Sequence, residues 1–261
     1  MSSQTLELES RDRVATLWMN RADAHNAFNE ALIKELTEAF ERFDEDDAVR
    51  VVVLAGRGKS FSAGADLDWM KRAAAYAAED NRRDARLLAK MYKTIHRLTK
   101  PTVARVHGAA LGGGVGLAAV CDIVVASTQA SFATTEVKLG IIPAVISPYV
   151  IVAIGERQAR RYFLTGERMD AQEAHRIGLA HVVVKPDDLD AKVAEIADAL
   201  AANGPAAQAA VKDLIARVAG YPIDDKLIED TAQRIAIARA TPEAKEGIAA
   251  FLERRKPRWQ D

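Results

Sequence analysis

The sequence has little of several features that would place it in a specialised class of protein. Its single cysteine, Cys121, excludes an intramolecular disulfide and suits a reducing compartment, so we expect a cytoplasmic location. The longest apolar run, residues 139–154, is interrupted by Pro143 and Pro148 and falls short of the ~20 residues of a membrane span. The opening segment MSSQTLELESRD is polar and acidic, unlike a signal peptide.

Charge of one sign is also lacking. Charged residues make up 28% of the 261 residues, but the formal net charge is only −1. Such a balance argues against general nucleic-acid binding. The five histidines have no metal-ligand spacing, so no metal site is expected. Ser147 lacks the G-x-S-x-G pattern of a serine hydrolase, and no internal repeat is visible.

What the sequence does have is an alternation of short apolar runs and helical patterns. Apolar residues make up 49% of the chain, enough for a full core. The apolar runs predict strands at 14–19, 49–55, 102–106, 121–126 and 181–184. Helical spacing predicts helices over 29–43, starting at Asn29, over 68–98, and over most of the chain after Pro148. This alternation predicts an α/β fold with crossover connections.

A glycine turn stands out within the segment AALGGGVGLAAVCD, residues 109–122. Gly112, Gly113 and Gly114 leave the backbone bare where a compact helix begins, so unpaired N–H groups can approach a ligand. Such a turn stabilises phosphate, carboxylate or a developing oxyanion. No Lys-Ser or Lys-Thr follows, and the glycines are too closely spaced for a dinucleotide motif. We therefore predict half of an oxyanion hole, with close helix packing as the alternative.

Two further loops follow predicted strands. The segment SAGAD, residues 62–66, offers backbone N–H groups, and its alternative is an ordinary turn in which Asp66 caps a helix. The segment TTEVKLG, residues 134–140, places Glu136 among apolar residues. Desolvation there would raise the pKa of the carboxyl toward a range useful for proton transfer. The alternative is a surface residue paired with Lys138.

Taken together and in this order, the three loops resemble those of the enoyl-CoA hydratase/isomerase (crotonase) superfamily. The loop NRADAHNAF and the ending FLERRKPRW resemble that family too. The resemblance implies an α/β (α+β) fold, a spiral of ββα turns with two nearly perpendicular sheets over residues 1–200. A helical trimerisation region would follow over residues 201–261, giving homotrimers or hexamers. The implied substrate is an acyl-CoA thioester, with no cofactor beyond its coenzyme A.

The resemblance also implies roles for individual residues. The N–H groups of Ala63 and Gly113 would hold the thioester oxygen, and Glu136 would move the proton. The residues implied to bind substrate are Ala24, His25, Ala65, Asp66, Leu67, Gly112, Gly116, Phe251 and Arg254. Of these, Phe251 and Arg254 can belong to a neighbouring subunit's site.

Gly116 departs from the family pattern. The best-known hydratases have two glutamates, and Gly116 stands where the first would be. One carboxylate suffices for an enoyl-CoA isomerase, but the segments GGGVGL and TEVKLGIIPAVISPYV resemble bacterial 3-methylglutaconyl-CoA hydratases, in which this glycine is ordinary. We expect the space at Gly116 to hold a water or the substrate's own carboxylate. Candidate cationic partners for that carboxylate are Lys71, Arg82, Arg83 and Arg86 in the helix after the first loop, and the alternative is that most of them face solvent.

Three functions remain open from the sequence. The first is hydration of a 2-enoyl-CoA, with 3-methylglutaconyl-CoA of leucine or isoprenoid degradation as the best candidate. The second is a Δ3,Δ2-enoyl-CoA isomerase that uses Glu136 alone. The third is a non-catalytic acyl-CoA binder.

Overall fold

A computed structural model describes residues 5–260 of the chain. Residues 1–4 of the polar opening segment therefore lie outside the described residues. The strands are β1 (Leu6–Arg11), β2 (Val14–Met19), β3 (Val51–Gly56), β4 (Ser60–Ser62), β5 (Thr102–Val106), β6 (Ala109–Leu111), β7 (Ile123–Ser127), β8 (Ser131–Ala133), β9 (Met169–Asp170) and β10 (Val182–Val184).

Helices separate and follow these strands. They are α1 (Glu30–Glu45), α2 (Leu67–Ala74), α3 (Ala78–Arg97), α4 (Gly113–Val120), α5 (Ser147–Thr165), α6 (Ala171–Arg176), α7 (Leu189–Ala201), α8 (Pro205–Val218), α9 (Asp225–Ala240) and α10 (Pro242–Leu252). A short 3₁₀ helix, Glu136–Leu139, lies between β8 and α5. Within residues 5–260, no helix combines the length and the apolar character needed to cross a membrane.

Across residues 5–260, the strands form a six-stranded and a four-stranded sheet. The larger has the order β1-β2-β3-β5-β7-β10, and the smaller has the order β4-β6-β8-β9. Each of the pairs β3-β4, β5-β6 and β7-β8 sends its first strand to the larger sheet and its second to the smaller. Helices follow each pair. The predicted ββα spiral and α/β class are thus confirmed. The ββα unit recurs in the structure, although no repeated segment is visible in the amino-acid sequence.

The central strands of the larger sheet are covered on both faces. Val52 and Leu54 of β3 face the main core, whereas Val51 and Val53 face a smaller cluster beneath α7. A strand buried on both sides is uniformly apolar rather than alternating, which explains the run VVVLA. The predicted division after residue 200 falls at the end of α7, and it stays a prediction.

Two sequence predictions need adjustment. The predicted helix over 68–98 is interrupted, since α2 ends at Ala74 and α3 begins at Ala78. Strand β1 was not predicted because LELESR is polar and largely exposed at the edge of the sheet. The predicted helix start at Asn29 is confirmed, because its side chain accepts a hydrogen bond from the Leu32 N–H at 2.9 Å.

Candidate active site

The glycine turn is held by the neighbouring strand and opens into α4. The Gly112 N–H donates to the Ala133 carbonyl of β8 at 2.8 Å. Gly112 has φ +50°, a left-handed conformation that glycine adopts without strain. The next two N–H groups, of Gly113 and Gly114, have no hydrogen-bond partner among residues 5–260. The turn therefore presents unpaired donors at a helix N-terminus, as the sequence predicts.

The Glu136 side chain reaches this turn from the 3₁₀ helix after β8. Its Oε1 lies 3.1 Å from the point where a Cβ on Gly112 would stand, so a side chain there would press against the carboxyl. Its Oε2 is buried without a hydrogen-bond partner among the described residues. Burial raises the pKa of the Glu136 carboxyl above its ordinary value. The alternative of pairing with Lys138 is wrong, because the Lys138 stem packs beside Gly166 instead.

The loop before α2 lies against the glycine turn, but its donor is not the predicted one. The Ala63 N–H donates to the His25 carbonyl at 2.9 Å and is not available to a ligand. The Ala65 N–H has no partner among the described residues. Phe28 bridges this loop through the Gly64 carbonyl and the Asp66 N–H, which leaves Ala65 unused. The donor assigned to Ala63 is therefore corrected to Ala65.

Gly64 brings the two loops into contact. A Cβ built on Gly64 would lie 2.7 Å from the Leu111 carbonyl oxygen and 3.6 Å from the Gly113 nitrogen. The backbone of this loop thus runs directly beside the unpaired Gly113 N–H. The unpaired N–H groups of Gly113 and Ala65 thus belong to adjoining loops, and the Glu136 carboxyl lies against the same glycine turn. That combination suits stabilising an oxyanion while a proton moves.

The space expected at Gly116 does not exist. A Cβ built on Gly116 would lie 2.9 Å from the Ile146 Cβ and still closer to its Cγ2, and 3.0 Å from Cε1 of Tyr92. Ile146 is only 3% exposed and Tyr92 is fully buried. The predicted water or substrate carboxylate at Gly116 is therefore wrong, because close-packed side chains occupy the volume.

The residues predicted to bind coenzyme A lie in neighbouring loops, and two of their polar side chains already have partners within the protein. Ala24 and His25 end a short 3₁₀ helix, and the His25 imidazole Nδ1 lies 3.1 Å from the Ser60 hydroxyl. Asp66 caps α2, as its alternative proposed, and pairs with Arg21 at 2.8 Å; this hydrogen bond lowers the pKa of Asp66. Leu67 is 74% exposed beside the loop. Their contact with coenzyme A stays a prediction.

Phe251 and Arg254 are not brought to these loops within the described chain. Phe251, near the end of α10, is 82% exposed, and Arg254 follows it with a left-handed backbone. No hydrogen bond or ion pair among residues 5–260 joins either side chain to the site. Their role stays a prediction that a second subunit would have to fulfil.

The four predicted cationic partners face solvent. Lys71 pairs with Asp68, Arg83 pairs with Asp80, and both Arg82 and Arg86 approach Glu79. Because each pair lies within its own helix and is exposed, these contacts resemble ordinary surface pairs. Each of these cations therefore already has an acidic partner, and the structure does not assign any of them to a substrate carboxylate.

Two residues that support the glycine turn, Tyr92 and Ile146, could not be predicted from any motif in the sequence. The Tyr92 hydroxyl donates to the Gly113 carbonyl at 2.8 Å, and its ring meets the edge of the Phe28 ring. Ile146 lies just before α5 within an apolar run. Neither belongs to a motif with chemical character, so only packing reveals that they support the glycine turn.

Comparison with known proteins agrees with this geometry. The family model for enoyl-CoA hydratase/isomerase matches residues 9–261. The chain belongs to the enoyl-CoA hydratase/isomerase family. A solved enoyl-CoA hydratase from Shewanella pealeana is 43% identical, with a TM-score of 0.96, over 98% of this chain and 96% of the other.

Two curated relatives of the family carry substrate names. A crotonyl-CoA hydratase of Syntrophomonas wolfei is 35% identical over 98% of each chain. A 2,3-dehydroadipyl-CoA hydratase of Escherichia coli is 34% identical over 97% of each chain. The protein is thus an enzyme of the hydratase type, and the crotonase resemblance of its sequence is confirmed.

Proposed function

We propose that the protein adds water to a 2-enoyl-CoA through a thioester enolate. The observation that carries this proposal is the buried, unpartnered Oε2 of Glu136, placed over a glycine turn with an unpaired Gly113 N–H. A buried acceptor without a partner is costly unless a ligand or a proton uses it. The Ala65 N–H would supply the second donor to the thioester oxygen.

The chemistry needs only one carboxyl. As water attacks the β-carbon, Glu136 takes a proton from it, and the electron pair of the double bond moves to the thioester oxygen. The N–H groups of Gly113 and Ala65 stabilise that enolate oxygen. The carboxyl then returns the proton to the α-carbon, and the thioester carbonyl re-forms. The site requires no cofactor beyond the coenzyme A of the substrate.

We propose 3-methylglutaconyl-CoA of leucine or isoprenoid degradation as the substrate. Support comes from the resemblance in TEVKLGIIPAVISPYV and from the 2,3-dehydroadipyl-CoA hydratase, whose named substrate also ends in a carboxylate. The filled volume at Gly116 excludes that position for the distal carboxylate.

A Δ3,Δ2-enoyl-CoA isomerase is the second candidate. The packing of Ile146 over Gly116 favours it, because no second carboxyl can orient the water. In that reaction Glu136 removes a proton from C2 of a 3-enoyl-CoA and returns it to C4. The same two N–H groups would hold the dienolate oxygen.

A panel of thioesters separates the candidates. Crotonyl-, 3-methylcrotonyl- and 3-methylglutaconyl-CoA should lose their conjugated absorbance with the wild-type protein, whereas an isomerase would create that absorbance from a 3-enoyl-CoA. Glu136→Gln should lower turnover by ~10²-fold or more with the fold intact. The matched control is Glu156→Gln, an exposed α5 glutamate paired with Arg160. Near-normal hydration by Glu136→Gln would refute the role assigned to Glu136. If the wild-type protein bound the thioesters without turning them over, a non-catalytic acyl-CoA binder would be favoured.

We also propose a homotrimer, or a hexamer of paired trimers, in the cytoplasm. Support comes from α8–α10, whose only buried residues among those described are Leu227 and Ala250. Apolar side chains there are exposed: Val211, Ile215, Ile228, Ile235, Ile237, Ile248, Phe251 and Leu252. Patches of this kind mark interfaces. Light scattering should give three or six chains, and a monomer with full activity would contradict the proposal.

A further inference from the structure

Phe28 is bonded through its backbone to the peptide that carries the unpaired Ala65 N–H. The Phe28 N–H donates to the Gly64 carbonyl at 2.6 Å, and the Phe28 carbonyl accepts from the Asp66 N–H at 2.9 Å. The Gly64 carbonyl and the Ala65 N–H belong to one peptide. Because a trans peptide points these two groups in opposite directions, holding the carbonyl also fixes the direction of the Ala65 N–H.

The side chain of the same residue lies against the other donor. A Cβ built on Gly113 would lie 2.3 Å from Cε2 and 2.8 Å from Cδ2 of the Phe28 ring. Gly113 belongs to α4 and does not have a left-handed backbone, so its conformation does not require glycine. The missing side chain at Gly113 instead leaves the space into which the Phe28 ring packs.

The Phe28 ring is held firmly in this position. Phe28 is 1% exposed, and its ring meets the edge of the Tyr92 ring at 88°, with centroids 6.4 Å apart. The Tyr92 hydroxyl in turn bonds the Gly113 carbonyl. In the segment before Phe28, the Asn26 carbonyl accepts from the buried Ser62 hydroxyl at 2.9 Å. The ring therefore cannot move away from Gly113 without opening a cavity in the core.

We propose that Phe28 is a positioning residue that holds the Ala65 and Gly113 N–H groups at a fixed separation and direction. Its backbone orients the first donor, and its ring supports the second. The loops also touch directly at Gly64, so Phe28 is a second tie between them. The functional meaning rests on the proposed function, in which both donors bind one thioester oxygen. Two donors stabilise one oxyanion only when both are aimed at its position before the reaction begins.

Phe28→Leu tests the ring, because it removes the atoms that touch Gly113 and keeps the backbone hydrogen bonds. The readout is the infrared carbonyl stretch of bound butyryl-CoA labelled with ¹³C at the thioester carbon, since this saturated thioester can be neither hydrated nor isomerised. Both donors should lower the frequency in the wild-type protein, and Phe28→Leu should lose about half of that lowering. With crotonyl-CoA, kcat should fall about tenfold while KM changes little.

Phe40→Leu is the matched control, because Phe40 of α1 is a fully buried phenylalanine of the same core. It should lower the unfolding midpoint and leave the carbonyl frequency and kcat unchanged. Phe28→Met restores the reach of the side chain and should recover most of both readouts. Equal effects of Phe28→Leu and Phe40→Leu, or no effect of Phe28→Leu, would overturn the proposal.

A second measurement does not depend on the folding of Phe28→Leu. An ester in place of the Phe28 N–H removes the hydrogen bond to the Gly64 carbonyl but keeps the ring, and it should also reduce the lowering of the carbonyl frequency. An ester at Ile33, whose N–H donates to the Asn29 carbonyl at 3.1 Å, is the control and should not. Equal shifts from the two esters would contradict the proposal.

The infrared readout also separates this proposal from the proposed function. If the wild-type protein lowered the carbonyl frequency through Phe28 but hydrated none of the thioesters, the hydratase would be refuted and the role of Phe28 would stand. If it hydrated crotonyl-CoA and the Phe28 variants kept the wild-type frequency and kcat, the role of Phe28 alone would be refuted.

Discussion

The Tyr92 hydroxyl donates a hydrogen bond of 2.8 Å to the carbonyl of Gly113, the residue whose N–H is unpaired at the start of α4. Tyr92 belongs to α3 and is fully buried. A helix from another turn of the spiral thus anchors the first peptide of α4. This hydrogen bond holds the peptide that joins Gly113 to Gly114, which directly follows the peptide that carries the Gly113 N–H.

Tyr92→Phe should therefore lower turnover more than it lowers stability. Losing the hydroxyl removes one buried hydrogen bond, a loss of about 1 kcal/mol in unfolding free energy, and loosens the donor turn. We expect kcat to fall about tenfold with KM little changed. Steady-state kinetics and urea unfolding measure the two effects. Tyr162→Phe is the control, since that hydroxyl is bonded to the remote Glu173, and it should alter stability alone.

The oxyanion donors can be tested by replacing single backbone N–H groups with ester oxygens. An ester at Ala65 should lower kcat by about 10²-fold or more, because it removes an unpaired donor aimed at the thioester oxygen. An ester at Ala63 removes the hydrogen bond to His25 and should mainly lower stability. If the ester at Ala63 had the larger effect on kcat, the correction from Ala63 to Ala65 would be wrong.

Glu136→Gln should stabilise the protein at neutral pH. Burial raises the pKa of this carboxyl in the native state above its unfolded value, so the unfolded chain loses the proton more readily. Native stability from this group therefore falls as pH rises from the ordinary glutamate value of 4.5 through the raised native pKa, and stays lower above it. The variant should melt higher than wild type at pH 7 to 8, and the difference should disappear below about pH 4. A difference that persists or grows in acid would contradict the burial of this carboxyl.

Gly64→Ala should disrupt the contact between the two donor loops. Gly64 has φ +85°, and its Cβ would meet the Leu111 carbonyl oxygen at 2.7 Å, so the loops must separate. Strain and overpacking together should cost about 3 kcal/mol. Gly140→Ala is a matched control with φ +72° and open space around it, and it should cost only about 1 kcal/mol. Denaturant unfolding of both variants isolates the effect of the contact, and equal losses would show that backbone strain alone matters.

Local patterns were sufficient for much of the fold. Residues 14–19 and 102–106 were predicted as strands with the bounds that β2 and β5 have, because short apolar runs between charges have few other stable structures. Strand β1 escaped prediction, since its stability comes from pairing with β2 rather than from its own apolar content. The break between α2 and α3 was also missed, because helical composition continues across it.

The candidate site also has residues that local sequence predicts and others that depend on contacts between distant parts of the chain. Residue type and order made Gly112, Gly113 and Glu136 candidates, since bare backbone and an acid in apolar surroundings each have a distinct chemistry, and the resemblance to the family implied their roles. The donor in the first loop was misassigned to Ala63, because which N–H is free depends on Phe28 and His25 pairing with that loop. No pattern in the loop itself distinguishes Ala63 from Ala65.

The sequence by itself determined the alternation of strands and helices and the glycine turn, because both follow from local residue chemistry, whereas the ββα spiral and the role of Glu136 came from the resemblance to the family. Only the tertiary structure decided which N–H groups remain unpaired and what fills the volume at Gly116. Both depend on contacts between residues that are distant in the chain, such as Ile146 and Tyr92 against α4. A glycine in the sequence suggests empty space beside it. Whether that space exists depends on how the neighbouring side chains pack in the folded interior.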